Sequence, residues 1–343
     1  MKALVLESYN NLMVKEVPQP VYNEKDLLIR VKACGICGSD VHGMDGSTGR
    51  RKPPLIMGHE ASGVVERVGN KVSNFQVGDR VTFDSTEYPL NDWYTLKGRY
   101  NLSDNRRVLG VAPEEYHRDG AFAEYVSIPA HIAHLLPDRV SFDQAAMVEP
   151  VAVATHAINL TDIKIMDTVL VVGTGMIGLF LIQVLQHSNA GKVIAVDIDS
   201  KKLDLARQFG ADVCISADDH DFRSKILMNS NKRGADVAFE AVGLDKTLQM
   251  AIGNVRKGGT VIMIGNVSSE VQFPLQSVVT REIRLQGSCA IAGEYPQALE
   301  MIDRGLVHVD PLISATAPLE DGAKWFHRLY QNEPGLYKVI LHP

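Results

Sequence analysis

The spacing of apolar residues changes partway along the chain. In the first part they come in short alternating runs bounded by turn residues, the pattern of strands with one buried face. Residues 2–7, 12–17 and 26–33 read this way, and Leu27-Leu28-Ile29-Arg30-Val31-Lys32-Ala33 ends in alternation. Ala61 to Gly69 and Asp79 to Phe83 continue the pattern, and no strong helical period is present before about residue 142. A mostly β domain follows from this. From Asp167 the texture differs: Val169–Val172 is an apolar strand, Met176 to Gln186 an apolar helix, Lys192–Val196 a strand, and Ser200 to Phe209 a helix charged on one side. Val213–Ser216, Val237–Ala241 and Thr260–Ile264 are further strands, separated by helix-forming stretches. Such alternation predicts a doubly wound parallel sheet, covered on both faces.

Gln286-Gly287-Ser288 ends a last strand of that sheet; the tail holds helices over 294–304 and 319–331 and a strand Tyr337–Leu341. The tail has too little apolar surface to fold alone, so it is expected to rejoin the first domain. The α/β organisation expected is therefore a mostly β domain over 1–150, completed by 290–343, and a doubly wound domain over 151–289. A length of 343 residues suits two domains. Lys+Arg of 35 against Asp+Glu of 41 leaves a net charge of −6, which argues against nucleic acid as a partner. Four cysteines do not make a disulfide framework. Thr168 to Gln186 carries no charge and is about long enough to span a membrane, but Gly173, Gly175 and Gly178 punctuate it. A buried strand, turn and helix fit it better. The N-terminus meets Glu7 too soon for a signal peptide. The expectation is a cytoplasmic enzyme that touches no membrane, with a soluble binding protein as the alternative.

Gly173-Thr174-Gly175-Met176-Ile177-Gly178 has the context that gives a GxGxxG pattern meaning: it follows a strand, opens a helix and is followed by Asp197 at the end of the next strand. The glycines allow a tight turn and close approach of backbone to pyrophosphate, which the helix N-terminus attracts. Asp197 would accept hydrogen bonds from both ribose hydroxyls and repel a 2′-phosphate, favouring NAD over NADP. Lys202 stands one turn into the following helix, within reach of the same ribose.

A second constellation surrounds Cys34-Gly35-Ile36-Cys37-Gly38-Ser39-Asp40-Val41-His42 and Gly58-His59-Glu60. Thiolate, imidazole and carboxylate are the ligand set of an open zinc site, so Cys37 and His59 with one acid could hold the metal. Glu60 and Glu149 compete for the carboxylate role. Cys34 has no second CxxC to pair with and reads as packing. Ser39 and His42 could carry a proton out of a closed site.

Taken together, GICGSDVH, GHEASGVVERVG, VGDRV, GAFAEYV, EPVAVATHA and VVGTGMIG carry a resemblance. The sequence resembles the medium-chain dehydrogenase/reductase superfamily, and within it the zinc-dependent polyol dehydrogenases. The resemblance covers almost the whole chain and implies a GroES-like catalytic domain beside a Rossmann domain. It further implies zinc on Cys37, His59 and Glu60, with Glu149 near the metal directly or through water. Ser39 and His42 match the relay positions, and Asp197 and Lys202 the adenosine-ribose contacts. Thr155 lies where the family places a residue near the nicotinamide, and Gly265-Asn266-Val267 and Ser288-Cys289-Ala290 where its backbone lines that half of the cofactor. Many members carry a second, structural zinc on four cysteines after VGDRV; those positions are Pro89, Asp92, Thr95 and Ser103 here. One catalytic zinc and no structural zinc are expected, with the lobe packed instead by Tyr88, Trp93, Tyr94 and Tyr100.

The activity implied is reversible, NAD-dependent oxidation of a secondary alcohol of a polyol to the ketone, in a homo-oligomer, tetramer or dimer. Threonine, butanediol and sugar-alcohol-phosphate dehydrogenases share nearly the same motifs, and a non-catalytic NAD-binding protein could keep the fold. Arg118, in Glu114-Glu115-Tyr116-His117-Arg118, could meet a phosphate or carboxylate, although a solvated charge cluster is the plainer reading.

Overall fold

The computed structural model describes residues 1–343, which divide into two compact units: Met1–Ala152 with Ile291–Pro343, and Val153–Ala290. The first unit opens with β1 (Lys2–Ser8), β2 (Asn11–Glu16) and β3 (Asp26–Gly35), then a six-residue helix α1 (Gly38–Gly43). β4 (Leu55–Ile56), β5 (Glu60–Val68), β6 (Arg80–Phe83), the pair β7 (Thr86–Glu87) and β8 (Arg107–Val108), β9 (Tyr125–Pro129) and β10 (Ala133–Leu135) follow. α2 (Phe142–Ala146) starts in a capping box, Ser141 accepting from the Gln144 amide and Gln144 from the Ser141 amide. Ser62 and Thr82 hydroxyls donate to the Phe142 and Ala145 carbonyls and tie α2 to the sheet. α3 (Val148–Asn159) then carries the chain into the second unit.

There β11 (Asp167–Val172), α4 (Met176–Leu185), β12 (Ala190–Asp197), α5 (Ser200–Gln208), β13 (Val213–Ser216), α6 (Phe222–Met228), β14 (Ala235–Glu240), α7 (Asp245–Asn254), β15 (Val255–Met263), α8 (Leu275–Thr280) and β16 (Arg284–Gly287) alternate as expected. The strands form one parallel sheet in the order β13-β12-β11-β14-β15-β16, reversing direction of growth between β11 and β14. That is the Rossmann order, whose ligands bind beyond the carboxyl ends of the strands. α4 is buried from Gly178 to Leu185, which accounts for the uncharged run from Thr168. No helix is long and apolar enough to cross a membrane.

The chain returns to the first unit through α9 (Tyr295–Asp303), β17 (Ile313–Pro318), α10 (Gly322–Tyr330) and β18 (Lys338–His342). The helix expected over 319–331 is shorter, because residues 319–321 form a separate 3-10 turn. β18 pairs with β3 and with β17, so the tail completes the sheet β10-β6-β5-β3-β18-β17. Phe326 of α10 meets Phe122 edge-on, with ring centroids 5.6 Å apart, in the core of this unit.

Candidate active site

The sheet of the first unit brings three distant segments to one end. Gly35, at the end of β3, pairs with Glu60, at the start of β5, and with Ile340 of β18. Cys37 follows directly as the N-cap of α1, its Sγ accepting from the Ser39 amide at 3.4 Å. Cys37, His59 and Glu60 each offer one ligand atom within 4.8 Å of the others, and His59 and Glu60 are buried.

The donor set fits a zinc ion on a further observation. His59 Nδ1 faces Asp40 Oδ1 at 3.5 Å, and Asp40 is fully buried. A metal-ligating histidine commonly has a carboxylate behind its second nitrogen, which fixes the ring and leaves the other nitrogen for the metal. Burial opposes a charge on His59, yet Asp40 and Cys37 hold its pKa well above the ordinary histidine range. The surroundings are thus built for a cation.

Two charged residues at this site have no sequence motif behind them. Lys338, at the start of β18, is buried; its ammonium donates to Glu60 Oε2 at 2.5 Å and to the Ile36 carbonyl at 3.0 Å. A Cβ on Gly35 would lie 2.5 Å from Glu60 Oε2, so any larger residue there would displace the Glu60 carboxylate from this pair. Arg51, also buried, donates to Asp40 Oδ1 at 2.8 Å and to Ser39 Oγ at 3.1 Å. The only signal for Lys338 was a lysine leading an apolar terminal strand.

The expected groupings are met in part. Glu149, in the first turn of α3, lies outside the close Cys37–His59–Glu60 group. It is buried nearby, and burial pushes its pKa up to about 7, with Glu60 adding to the rise while His59 and Lys338 oppose it. Ser39 and His42 share one turn of α1 but make no direct hydrogen bond: the Ser39 hydroxyl donates to Cys37 Sγ at 3.3 Å, and His42 is exposed. Three residues of helix bring side chains onto one face without bringing these short groups together. Cys34 is fully buried in the core. Arg118 is committed: its guanidinium pairs with Glu87 at 2.5 Å and both groups are mostly buried, so it is neither a solvated charge nor a free anion receptor. A groove of about 540 Å³ along Val5, Pro20, Pro54, His117, Arg118 and Tyr125 contains none of the ligand candidates.

In the second unit the nucleotide candidates gather at the carboxyl ends of the parallel strands. Gly173 leaves β11 with φ +91°, and a Cβ on Gly178 would overlap the Gly173 carbonyl oxygen. Gly175, the N-cap of α4, would have no heavy atom within 4 Å of an added Cβ, so the backbone there is open to a ligand. Asp197 ends β12; its carboxylate already accepts from the Thr174 amide at 2.6 Å, the Thr174 hydroxyl at 3.0 Å and the Asp199 amide at 2.9 Å. That leaves about one acceptor direction of its four, rather than the two that a pair of ribose hydroxyls would use. Lys202 is half-buried in α5, Gly265–Val267 follow β15, and Ser288–Ala290 follow β16, with Ala290 at φ +50°. Thr155 is buried within α3. These positions fit a dinucleotide at the open end of the sheet.

Comparison with known proteins agrees with both units. Residues 23–138 match the alcohol dehydrogenase GroES-like domain, and residues 177–304 match the zinc-binding dehydrogenase family. The chain is 32% identical over 347 residues to sorbitol dehydrogenase of Bacillus subtilis (strain 168), with 100% of this chain and 97% of that protein covered. The chain belongs to the zinc-dependent medium-chain dehydrogenases, in their polyol branch. This zinc-dependent dehydrogenase is also 32% identical over 351 residues to D-xylulose reductase of Saccharomyces cerevisiae (strain ATCC 204508 / S288c), covering 99% and 97% of the two chains. A solved structure of a candidate zinc-binding dehydrogenase from Sinorhizobium meliloti 1021, bound to NADP, superposes with a TM-score of 0.90 at 31% identity, covering 100% and 99%. As a polyol-branch dehydrogenase the protein is an oxidoreductase that uses zinc and a nicotinamide cofactor.

Proposed function

We propose that the protein oxidises a secondary alcohol of a polyol to the ketone, reversibly, with NAD as the hydride acceptor and one zinc per chain. The observation that carries the reading is the Cys37, His59 and Glu60 group with Asp40 behind His59 and Ser39 beside Cys37. When bound, the metal would polarise the substrate hydroxyl and the nicotinamide would take the hydride. Cys37, His59 and Glu60 would hold the metal, and Lys338 would keep Glu60 in place. Glu149, whose pKa stands near neutrality, is suited to hold or release a proton beside the site. Ser39 would accept the substrate's hydroxyl proton, and exposed His42 would pass it to solvent through a bridging water.

Asp197 favours NAD: with three donors already on its carboxylate, it presents negative charge where a 2′-phosphate would have to stand. Arg118, bound to Glu87, removes the one cation that favoured a phosphorylated substrate. By likeness to the family we also propose a cytoplasmic homo-oligomer, a tetramer or dimer.

The test is NADH formation with a panel of polyols, phosphorylated polyols, threonine and butanediol, alongside metal analysis. Sorbitol-, xylitol- or related polyol-dependent turnover with close to one zinc per chain is expected; turnover of threonine alone, or two zincs per chain, would overturn the reading. Cys37→Ser should lower turnover by at least about 10³-fold and lose zinc, while NAD affinity stays within about twofold, since the nucleotide residues belong to the second unit. Full activity in that variant would remove Cys37 from the metal site.

A further inference from the structure

Arg51 is a buried cation that splits one nitrogen between two acceptors. Its Nη2 carries two hydrogens; one is directed to Asp40 Oδ1 at 2.8 Å and the other to Ser39 Oγ at 3.1 Å. Neutralising Asp40 alone would need only the first contact. The second falls on the hydroxyl that leans on Cys37 Sγ at 3.3 Å. Asp40, in turn, faces His59 Nδ1. One guanidinium therefore fastens the first turn of α1 at two successive residues, both beside candidate ligands.

The consequence follows from counting directions on a hydroxyl oxygen. Beyond its carbon it has one O–H and two lone pairs. With one lone pair engaged by Arg51 and the O–H resting on Cys37 Sγ, a single lone pair remains to accept a proton, and the O–H, once turned from Sγ, is the only group that can release one. Without Arg51 the exposed Ser39 hydroxyl would rotate among its wells and offer either lone pair.

We propose that Arg51 is a positioning residue of the reaction, fixing the Ser39 hydroxyl so that the substrate's proton enters on one side and the serine's own proton leaves on another. The inference rests on the polyol dehydrogenase reading above. In the step, the substrate O–H breaks as a new Ser39 O–H forms, and the original Ser39 hydrogen leaves its bond to Cys37 Sγ and passes to water and then the His42 imidazole. The electron pair of the alcohol C–H leaves as hydride to the nicotinamide. Arg51 itself exchanges no proton.

The experiment compares Arg51→Lys, Ser39→Ala and the double variant with the parent. Lysine keeps the charge beside Asp40 but ends one bond short of the guanidinium nitrogen, so it cannot reach both acceptors. Arg51→Lys should keep zinc and NAD, lower kcat by about 10- to 100-fold, change KM by less than about threefold, and raise the solvent deuterium isotope effect on kcat. In the Ser39→Ala background the same change should cost less than about twofold, because its effect runs through the absent hydroxyl. Unchanged kcat, or an equal loss in both backgrounds, overturns the proposal.

A readout that needs no turnover is the thiolate-to-metal absorption of the cobalt-substituted protein, since the Ser39 hydroxyl rests on Cys37 Sγ. Arg51→Lys should shift it, with no added shift in the double variant; an unmoved band overturns the proposal. A parent inert on the whole panel would sink the polyol reading, and the cobalt band would still decide whether Arg51 holds Ser39. If Arg51→Lys does not fold, Asp40→Asn/Arg51→Met against Asp40→Asn carries the same comparison, because both buried charges are removed together.

Discussion

At the scale of single residues, the chemistry is concentrated in charges that must neutralise one another out of water. Lys338 and Glu60 are 3% and 1% exposed, and each is the other's ion-pair partner. Burial alone would lower the lysine's pKa, but Glu60 and Cys37 outweigh it and the pKa is raised. Lys338→Met in the metal-free protein should therefore cost about 3–5 kcal/mol, most of it from the stranded Glu60 carboxylate. Lys338→Met/Glu60→Gln should recover much of that loss. Urea unfolding of the three proteins measures both, and equal stability of the single and double variants would show that Glu60 finds another partner. Such pairs explain what could be read in advance. Cys37, Ser39, His42, His59 and Glu60 stood out because they crowd two short motifs. Lys338 lies 278 residues from Glu60, in a strand whose apolar neighbours identify a buried element and nothing more. Arg51 lay among Arg50 and Lys52, where a basic run reads as solvated surface. Partners chosen by tertiary proximity leave no period in the sequence.

At the scale of elements, the lobe closed by β7 and β8 is tied by side chains at the four positions where the family resemblance would place a second zinc. Of the four positions Pro89, Asp92, Thr95 and Ser103, three are joined by hydrogen bonds: Asp92 Oδ1 accepts from the Thr95 amide at 2.7 Å, and Oδ2 from the Ser103 hydroxyl. The expected aromatics pack as two pairs, Tyr88 with Tyr100 and Trp93 edge-on to Tyr94 with ring centroids 5.0 Å apart. Tyr88 stacks on Tyr100 at 3.9 Å, and Tyr100 donates to Asp84 at 2.5 Å. Trp93, however, is 65% exposed, with Lys97 over its ring. A carboxylate thus ties the loop while one tyrosine anchors it to the sheet. Asp92→Ala should speed hydrogen exchange and proteolysis within 92–103 and leave the unfolding of the two cores unchanged, and chelators should not affect that loop in the parent. Protection unchanged by Asp92→Ala would mean that Tyr100 and the β7–β8 pair suffice. The parallel sheet of the second unit was legible because its central strands carry apolar runs, such as Val169–Val172 and Val193–Val196, between turn residues, whereas β16, RLQG, has none. β17 was not, since only one residue of ISATAP is buried and it ends in proline; α1 was not, because six residues are too few for a helical period.

At the scale of the whole molecule, opposing sets of acids decide how stability follows pH. Asp45, Asp92, Asp219, Glu320 and Glu333 also have lowered pKa values, but all keep contact with solvent, which screens them, and they contribute little. Asp40 is the buried exception; burial alone would raise its pKa, but His59 and Arg51 outweigh it and hold it low, so its contribution is lost only in strong acid. Asp84 pulls the other way. Burial raises its pKa from 3.8 to about 6 against the hydrogen bonds from Tyr100 and Thr86. A folded-state value above the unfolded one favours folding while the group is protonated. That contribution is complete below the unfolded value of 3.8 and is lost as pH rises through about 6. Roughly two pKa units correspond to a loss on the order of 2–3 kcal/mol between about pH 4 and pH 7. Glu149, raised to about 7, adds to the same trend in the metal-free protein. The metal-free enzyme should accordingly be more stable at pH 5 than at pH 8. Asp84→Asn keeps groups able to bond Tyr100 and Thr86 but cannot ionise, so its stability relative to the parent should improve by on the order of 1 kcal/mol from pH 5 to pH 8. Urea midpoints of both proteins at the two pH values measure it, and a difference independent of pH would mean that Asp84 is ionised throughout, held by water or by Tyr100 more strongly than burial opposes it.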